Sequence, residues 1–219
     1  MHASAVLVPL LPALAWLPIA ASAESQPSSN KRGLVHTPNE NWPDDDDKWA
    51  GPDSGLSWYY NFAWNASASY ASVAQDKFEF VPMMWGAGTP NGTDSYFAGN
   101  ISETVDKKKR NITHVLTFSH PEQTFAHGGS EMKPLIAARS WINNAIPLQK
   151  RGIKVGLPIV GDPYSWVDPF LKNCSALLAK KQRKRAEDKA PECKFDFMPI
   201  TSYGNMTVLK DRVELFAKA

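Results

Sequence analysis

Charge of one sign is scarce in this 219-residue chain: 24 Lys and Arg stand against 22 Asp and Glu, a formal net charge of +2. So even a balance excludes the basic excess of a dedicated nucleic-acid binder and the field that would draw a strongly anionic partner. Cysteine is nearly absent, with Cys174 and Cys193 alone. No CxxC or HxxxH accompanies them, which argues against a zinc site. The pair instead fits a single disulfide in an oxidising compartment. His114, His120 and His127 have spacings that match no common ligand motif, and no metal is expected. The GxSxG elbow of a serine hydrolase is missing around Gly128-Gly-Ser130. Asp44-Asp-Asp-Asp-Lys48 lacks the alternating ligands and Gly of an EF-hand loop and is expected to be a solvated acidic loop. Beyond the leader, no apolar run is long enough to span a bilayer, and the C-terminus shows no lipid-anchor tail.

What is present points to export. Residues 1–23 have the form of a secretory signal peptide, almost wholly apolar from Ala5 to Ala20, with Ala21-Ser-Ala23 as a small-residue cleavage site. Residues 24–32 form a polar segment ending in the dibasic pair Lys31-Arg32, either a trimmed pro-segment or an ordinary linker. Half of the twelve asparagines lie in acceptor sequons: Asn65, Asn91, Asn100, Asn111, Asn173 and Asn205. A secreted glycoprotein with no membrane attachment after signal cleavage is expected. Lys107-Lys-Lys-Arg110 and Lys180-Lys-Gln-Arg-Lys-Arg185 are expected to be solvated faces or loops, with binding to acidic wall polymers or dibasic cleavage as the alternatives. Nothing in the sequence fixes an oligomeric state.

From Gly33 onward short apolar runs alternate with helical stretches, the pattern of a parallel α/β fold. Strands are expected over Gly33–His36, Ser57–Phe62, Phe78–Met84, His114–Phe118, Lys154–Val160 and Phe195–Ile200. A helix is expected from Ser130 as N-cap, with Pro134 in its first turn. Its apolar face runs through Leu135, Ala138, Trp141, Ala145 and Leu148, and Gly152 ends it. Further helices are expected from Trp166 into the 180s and from Met206 to the C-terminus. In α/β barrels, chemistry sits on segments leaving the carboxyl ends of the strands. Phe118-Ser-His-Pro-Glu-Gln-Thr124 is such a segment. The eight tryptophans add aromatic faces of the kind that stack on sugar rings, although most Trp side chains simply pack a core.

Five stretches, in order, resemble fungal glycoside hydrolase family 128, the alkali-sensitive-linkage-protein-like glycosyl hydrolases. Lys31-Arg-Gly-Leu34 is similar to that family's first strand after its processing site. Ser57-Trp-Tyr-Tyr-Asn-Phe62 resembles its "SWxYNW" second strand, and Phe80-Val-Pro-Met-Met-Trp-Gly86 its "FVPMLWG" third strand. Gly128-Gly-Ser-Glu-Met132, with Ala137 and Trp141 beyond it, resembles the helix after strand four. Cys193-Lys-Phe-Asp-Phe197 and Tyr203-Gly204 resemble the "C…DF…HWYG" sixth strand. The resemblance implies a (β/α)8 TIM-barrel-like glycosidase fold over residues 33–219, acting on β-1,3-glucan by a retaining mechanism. About six of the eight β/α units are accounted for, so the fold is expected to be incomplete. It implies no cofactor, and β-glucan or another cell-wall polysaccharide as partner.

The departures from the family pattern fall on the chemistry. Its strand-four motif is "GFNEPD", where this chain has Thr117-Phe-Ser-His-Pro-Glu122. The acid/base Glu position is therefore His120, and Glu122 is the candidate substitute. The family's His and Trp at the sixth strand fall on Thr201 and Ser202, and the strand bearing the nucleophile would lie beyond Ala219. Catalysis is expected to be lost or impaired, with a β-glucan-binding or structural wall glycoprotein as the alternative. Trp58, Tyr60, Asn61, Trp85 and Tyr203 are the candidate sugar contacts, with packing as the competing role for Trp58, Tyr60, Asn61 and Trp85. Aromatic rings stack on pyranose faces, and an Asn side chain can hydrogen-bond their hydroxyls.

Overall fold

The computed structural model describes residues 32–183 and 193–218. The expected signal peptide, nearly all of the pro-segment or linker, and the end of the 180–185 basic run lie outside them. Five short strands and five helices alternate: β1 (Gly33–Val35), α1 (Asp45–Trp49), β2 (Trp58–Tyr60), β3 (Glu79–Phe80), α2 (Tyr96–Asp106), β4 (His114–Val115), α3 (Pro134–Gln149), β5 (Lys154–Val155), α4 (Pro163–Arg183) and α5 (Met206–Ala217).

All strand pairing is parallel, with β1-β2-β3 in one sheet and β4-β5 in another. Isolated bridges continue the order: Met83 pairs with Leu116 and joins β3 to β4, and Gly156 pairs with Phe197 beyond β5. Six parallel segments thus follow one another in chain order. The ladders are much shorter than the apolar runs, because prolines at 82 and 158 interrupt the donor series inside two of them. The sheets are small and do not close, so the described residues form a mixed α/β fold rather than a complete barrel.

Side chains alternate across this curved layer. Tyr59, Phe80, Val115 and Val155 face the helices and join the main core with Ile101, Phe118, Ala137, Trp141, Leu148 and Phe170. The opposite, inner face carries a smaller cluster of Val81, Met83, Leu116 and Ile159, packed by Trp58, Tyr60, Trp85 and Phe197. Glycines permit two close approaches here. A Cβ on Gly33 would collide with the Trp58 ring, and one on Gly156 would come within 2.7 Å of the Phe197 ring.

The helix expected from Ser130 begins at Pro134 instead, with Lys133 as its N-cap residue. Gly129 is wedged against the carbonyls of His120 and Gln123, and the Ser130 amide donates to Ser119 O at 2.9 Å. The backbone is thereby committed to a loop, and the buried Ser130 hydroxyl has no hydrogen-bond partner. Ala138, Trp141, Ala145 and Leu148 are buried as their spacing requires, but Leu135 is exposed. Ala137, Ser140 and Asn144 complete the buried face. Asn144 is satisfied across the helix pair: its Oδ1 accepts from Ala98 N and its Nδ2 donates to Asp94 O, each at 3.0 Å. The Trp141–Phe170 edge contact and the Trp166–Phe170 stack lie where α4 packs on α3. Each such pair is worth about 0.5–1.5 kcal/mol beyond area burial. Cys174 of α4 and Cys193 are joined by a disulfide, as expected.

The acidic run is not a solvated loop. It forms α1, and Asp46 there pairs with the buried His36 at 2.9 Å. The first basic run is also engaged in part: Arg110 Nε donates to Gln75 Oε1 at 2.7 Å. Among the described residues, no helix is long and apolar enough to cross a membrane.

Candidate functional site

Successive strands deliver their carboxyl ends to one rim. The third segment ends at Trp85, whose carbonyl accepts from Ser119 N at 3.0 Å. The fourth ends at His120, whose amide donates to Ile159 O at 2.8 Å. Trp85 and His120 are therefore positioned by interstrand backbone bonds. His120 itself has a φ of 41°, in the left-handed region that a non-glycine residue enters at a cost. The loop that follows holds it there: Gln123 N donates to His120 O, and Met132 N to Pro121 O.

The two groups expected to carry acid chemistry meet. His120 Nδ1 lies 3.4 Å from Glu122 Oε1, and the same oxygen accepts from Gly161 N at 2.7 Å. Glu122 thus ties the loop after the fourth segment to the end of the fifth. Asp162, next along this rim, accepts from Tyr164 N at 3.0 Å at the start of α4. Hydrogen bonds from the Tyr164 amide and from Ser165 hold its carboxyl below the usual value, which keeps it ionised rather than available as an acid. A retaining hydrolase needs two carboxyl groups about 5–5.5 Å apart, one of them protonated. The imidazole at position 120 and the tied Glu122 do not form that pair.

The aromatic residues separate into two kinds. Trp58 and Tyr60 stack on each other, with centroids 6.5 Å apart, and pack the inner face. Trp85 is half-buried and stacks on Phe125 at 5.8 Å with an interplanar angle of 29°. Phe125 is 64% exposed, so the pair presents an aromatic surface on the rim that also carries His120. Phe125 was not anticipated from the sequence. Its only signal there is a large apolar side chain inside an otherwise polar, glycine-containing loop. The loop is braced: Phe125 N donates to Glu131 Oε2, and Thr124 Oγ1 hydrogen-bonds His127 Nδ1 at 2.8 Å. Tyr203 is 84% exposed and belongs to the segment beyond the sixth strand.

Asn61 is engaged within the fold. Its Nδ2 donates to Asn65 O at 2.9 Å and to Ser67 Oγ at 3.1 Å, and its Oδ1 accepts from Ala63 N. These bonds shape the turn after β2. Burial raises the Tyr60 phenol, with Tyr203 adding to the effect. Among the described residues, no group of three or more His, Cys, Asp or Glu side chains is placed to hold a metal ion.

Comparison with known proteins gives the fold a home. Three solved structures show the likeness. An endo-β-1,3-glucanase of glycoside hydrolase family 128 from Pseudomonas viridiflava superposes with a TM-score of 0.59 at 20% identity, over 86% of this chain and 68% of its own. A curdlan-specific exo-β-1,3-glucanase of that family from Blastomyces gilchristii gives 0.56 at 24% identity, over 88% and 71%. An oligosaccharide-binding protein of the family from Trichoderma gamsii gives 0.55 at 16% identity, over 87% and 63%. No curated protein matches by sequence. Residues 33–219 match the family described as glycosyl hydrolase catalytic core, and the chain belongs to that family.

Proposed function

We propose that this chain is a secreted β-1,3-glucan-binding glycoprotein that has lost the retaining hydrolysis of its enzymatic relatives. The carrying observation is the rim itself: the half-buried Trp85 and the exposed Phe125 stack on the rim that also carries His120, where the family pattern has a catalytic Glu. Glu122, the carboxylate paired with that imidazole among the described residues, is tied to the Gly161 amide. An apolar platform beside polar groups suits the face of a pyranose ring. The Trichoderma gamsii protein, described as oligosaccharide-binding, supports the view that this fold can serve binding. Two glucanases of the same fold indicate β-1,3-glucan as the polymer. Export rests on the leader and the sequons of the sequence.

Two assays on the purified secreted protein test this. Incubation with linear β-1,3-glucan is expected to release no oligosaccharide. Sedimentation with insoluble β-1,3-glucan is expected to retain the protein, and Trp85→Ala to weaken that retention about tenfold, roughly 1.4 kcal/mol. Oligosaccharide release by the wild type that disappears in Glu122→Gln would show Glu122 to be a working acid and sink the proposal. Equal retention on glucan and on an unrelated insoluble polymer would leave a structural glycoprotein as the better reading.

A further inference from the structure

Away from the rim, a cleft of about 920 Å3 opens against the amino ends of β2 and β3. That size is typical of ligand sites, roughly 300–1,000 Å3. Its walls carry Ser57 just before β2, Glu79 from β3, Trp64 from the connection after β2, and Lys108 to Asn111 from the turn after α2. Trp64 is half-buried, with Lys108 Nζ 6.0 Å from its ring centroid and the Tyr96 ring edge-on at 6.1 Å. Two of the sequon asparagines, Asn65 and Asn111, also line this cleft, and both are exposed.

The six sequons differ in what occupies the amide nitrogen that a glycan would use. Asn100 Nδ2 donates to Tyr96 O and Asn173 Nδ2 to Pro169 O, each at 2.8 Å along its own helix. Both nitrogens are turned onto the helix backbone. Asn91 and Asn205 use only their side-chain oxygens, Asn91 toward Thr89 and Thr93 and Asn205 as the N-cap of α5. Both residues are exposed. Asn65 and Asn111 are exposed, and among the described residues none hydrogen-bonds either side chain.

From this we propose that Asn65 and Asn111 carry N-glycans whose first N-acetylglucosamine residues fill the cleft and lie against Trp64. The inference depends on the export reading, since only an exported chain meets the transfer machinery. An acetamido sugar suits the walls. It offers an apolar face to the indole, and hydroxyl and amide groups to Lys108 and to the polar side chains opposite. Both sequon hydroxyls are engaged in the fold: Ser67 Oγ is 2.6 Å from His36 Nδ1, and Thr113 Oγ1 donates to Glu79 Oε1 at 2.7 Å. Transfer, in which the asparagine Nδ2 bonds to C1 of the first sugar as a lipid-linked pyrophosphate leaves and the amide gives up one proton, therefore precedes folding at these two sites, and the fold then closes around the glycan stems.

The test uses the full chain secreted from a glycosylating eukaryotic host. Glycopeptide mass spectrometry is expected to find glycans at Asn65 and Asn111. Hydroxyl-radical footprinting before and after enzymatic deglycosylation of the folded protein then reads the cleft. Oxidation of Trp64 is expected to rise several-fold on glycan removal, while Trp42, 66% exposed elsewhere, stays unchanged. Asn65→Gln with Asn111→Gln should reproduce the rise without enzyme treatment. Glycans at Asn91 and Asn205 with none at Asn65 and Asn111 would overturn the inference and leave export standing. Occupied Asn65 and Asn111 with unchanged Trp64 oxidation would overturn it as well. An unmodified secreted chain would overturn it too, whereas a chain that stays in that host's cytosol would sink the export reading itself.

Discussion

The His36 imidazole lies between Ser67 Oγ at 2.6 Å and Asp46 Oδ1 at 2.9 Å, in T-shaped contact with the rings of Tyr59 and Tyr70. With Asn61 Nδ2 donating to Ser67 Oγ, a chain of hydrogen bonds links Asn61, Ser67, His36 and Asp46. Burial alone would raise the Asp46 carboxyl, but hydrogen bonds from Ser69, His36 and Tyr70 hold it below its usual value. Burial also pushes the Tyr59 phenol up to about 12, so that ring stays neutral beside the pair. The sign of the pH effect follows. A depressed folded-state pKa contributes stability that is complete above the unfolded value of about 3.9 and is lost as pH falls through the folded value. Asp46→Asn is expected to cost about 1–3 kcal/mol at neutral pH, because it leaves neighbouring donors poorly matched. Urea midpoints of wild type and variant should converge as the pH is lowered through the acid range. A gap that stays constant into strong acid would show that the carboxylate charge contributes nothing.

At the scale of elements, the sequence was most legible where one physical rule dominated. The three- and four-residue spacing from Ala138 to Leu148 marks α3, and all six expected strand regions carry parallel pairing in the expected order. The start of α3 was illegible because a good capping residue, Ser130, is overruled by the loop packed around Gly129. The α1 helix was missed because its acidic residues suggest only solvent, whereas Asp46 finds a histidine ten residues earlier. At the site, Trp85 and His120 were found by their place after strands, while Phe125 depends on a tertiary stack that no spacing encodes. Register between elements also rests on small residues. A Cβ on Gly156 would meet the Phe197 ring at 2.7 Å and Pro199 at 3.1 Å. Gly156→Ala is therefore expected to displace the sixth segment and destabilise the fold by about 1–3 kcal/mol, as overpacking does. Equilibrium unfolding in urea measures the loss, and a variant as stable as wild type would mean that the sixth segment yields freely.

Across the whole molecule, stability is expected to be graded rather than uniform. Val115, Phe118, Ala137, Ala138, Leu148 and Val155 are fully buried, so β4, β5 and α3 form the centre of the core. By contrast α1 buries no residue and α5 only Phe216, while Met206, Val208, Val213 and Leu215 of α5 are exposed. The last helix is fastened to the strands by Arg212, whose Nη1 donates to Gly161 O at 3.1 Å. Segments with few buried contacts open at low free energy, and amide exchange reports that directly. Exchange is therefore expected to be slowest in β4, β5 and α3 and fastest in α1 and α5. Arg212→Ala should speed exchange in α5 while leaving α3 unchanged. Equal protection of α5 and α3 would mean that the molecule opens as one unit, and that its thin last layer is as strong as its centre. The same gradient bears on the binding site. Trp85 and His120 are held by backbone bonds to the protected strands, whereas Tyr203 belongs to the weakly held end. A β-1,3-glucan oligosaccharide docking on the Trp85–Phe125 platform should slow exchange in the loop from Phe118 to Met132 and leave α5 as it was. Protection appearing around Tyr203 and α5 alone would move the sugar site to the other end of the rim.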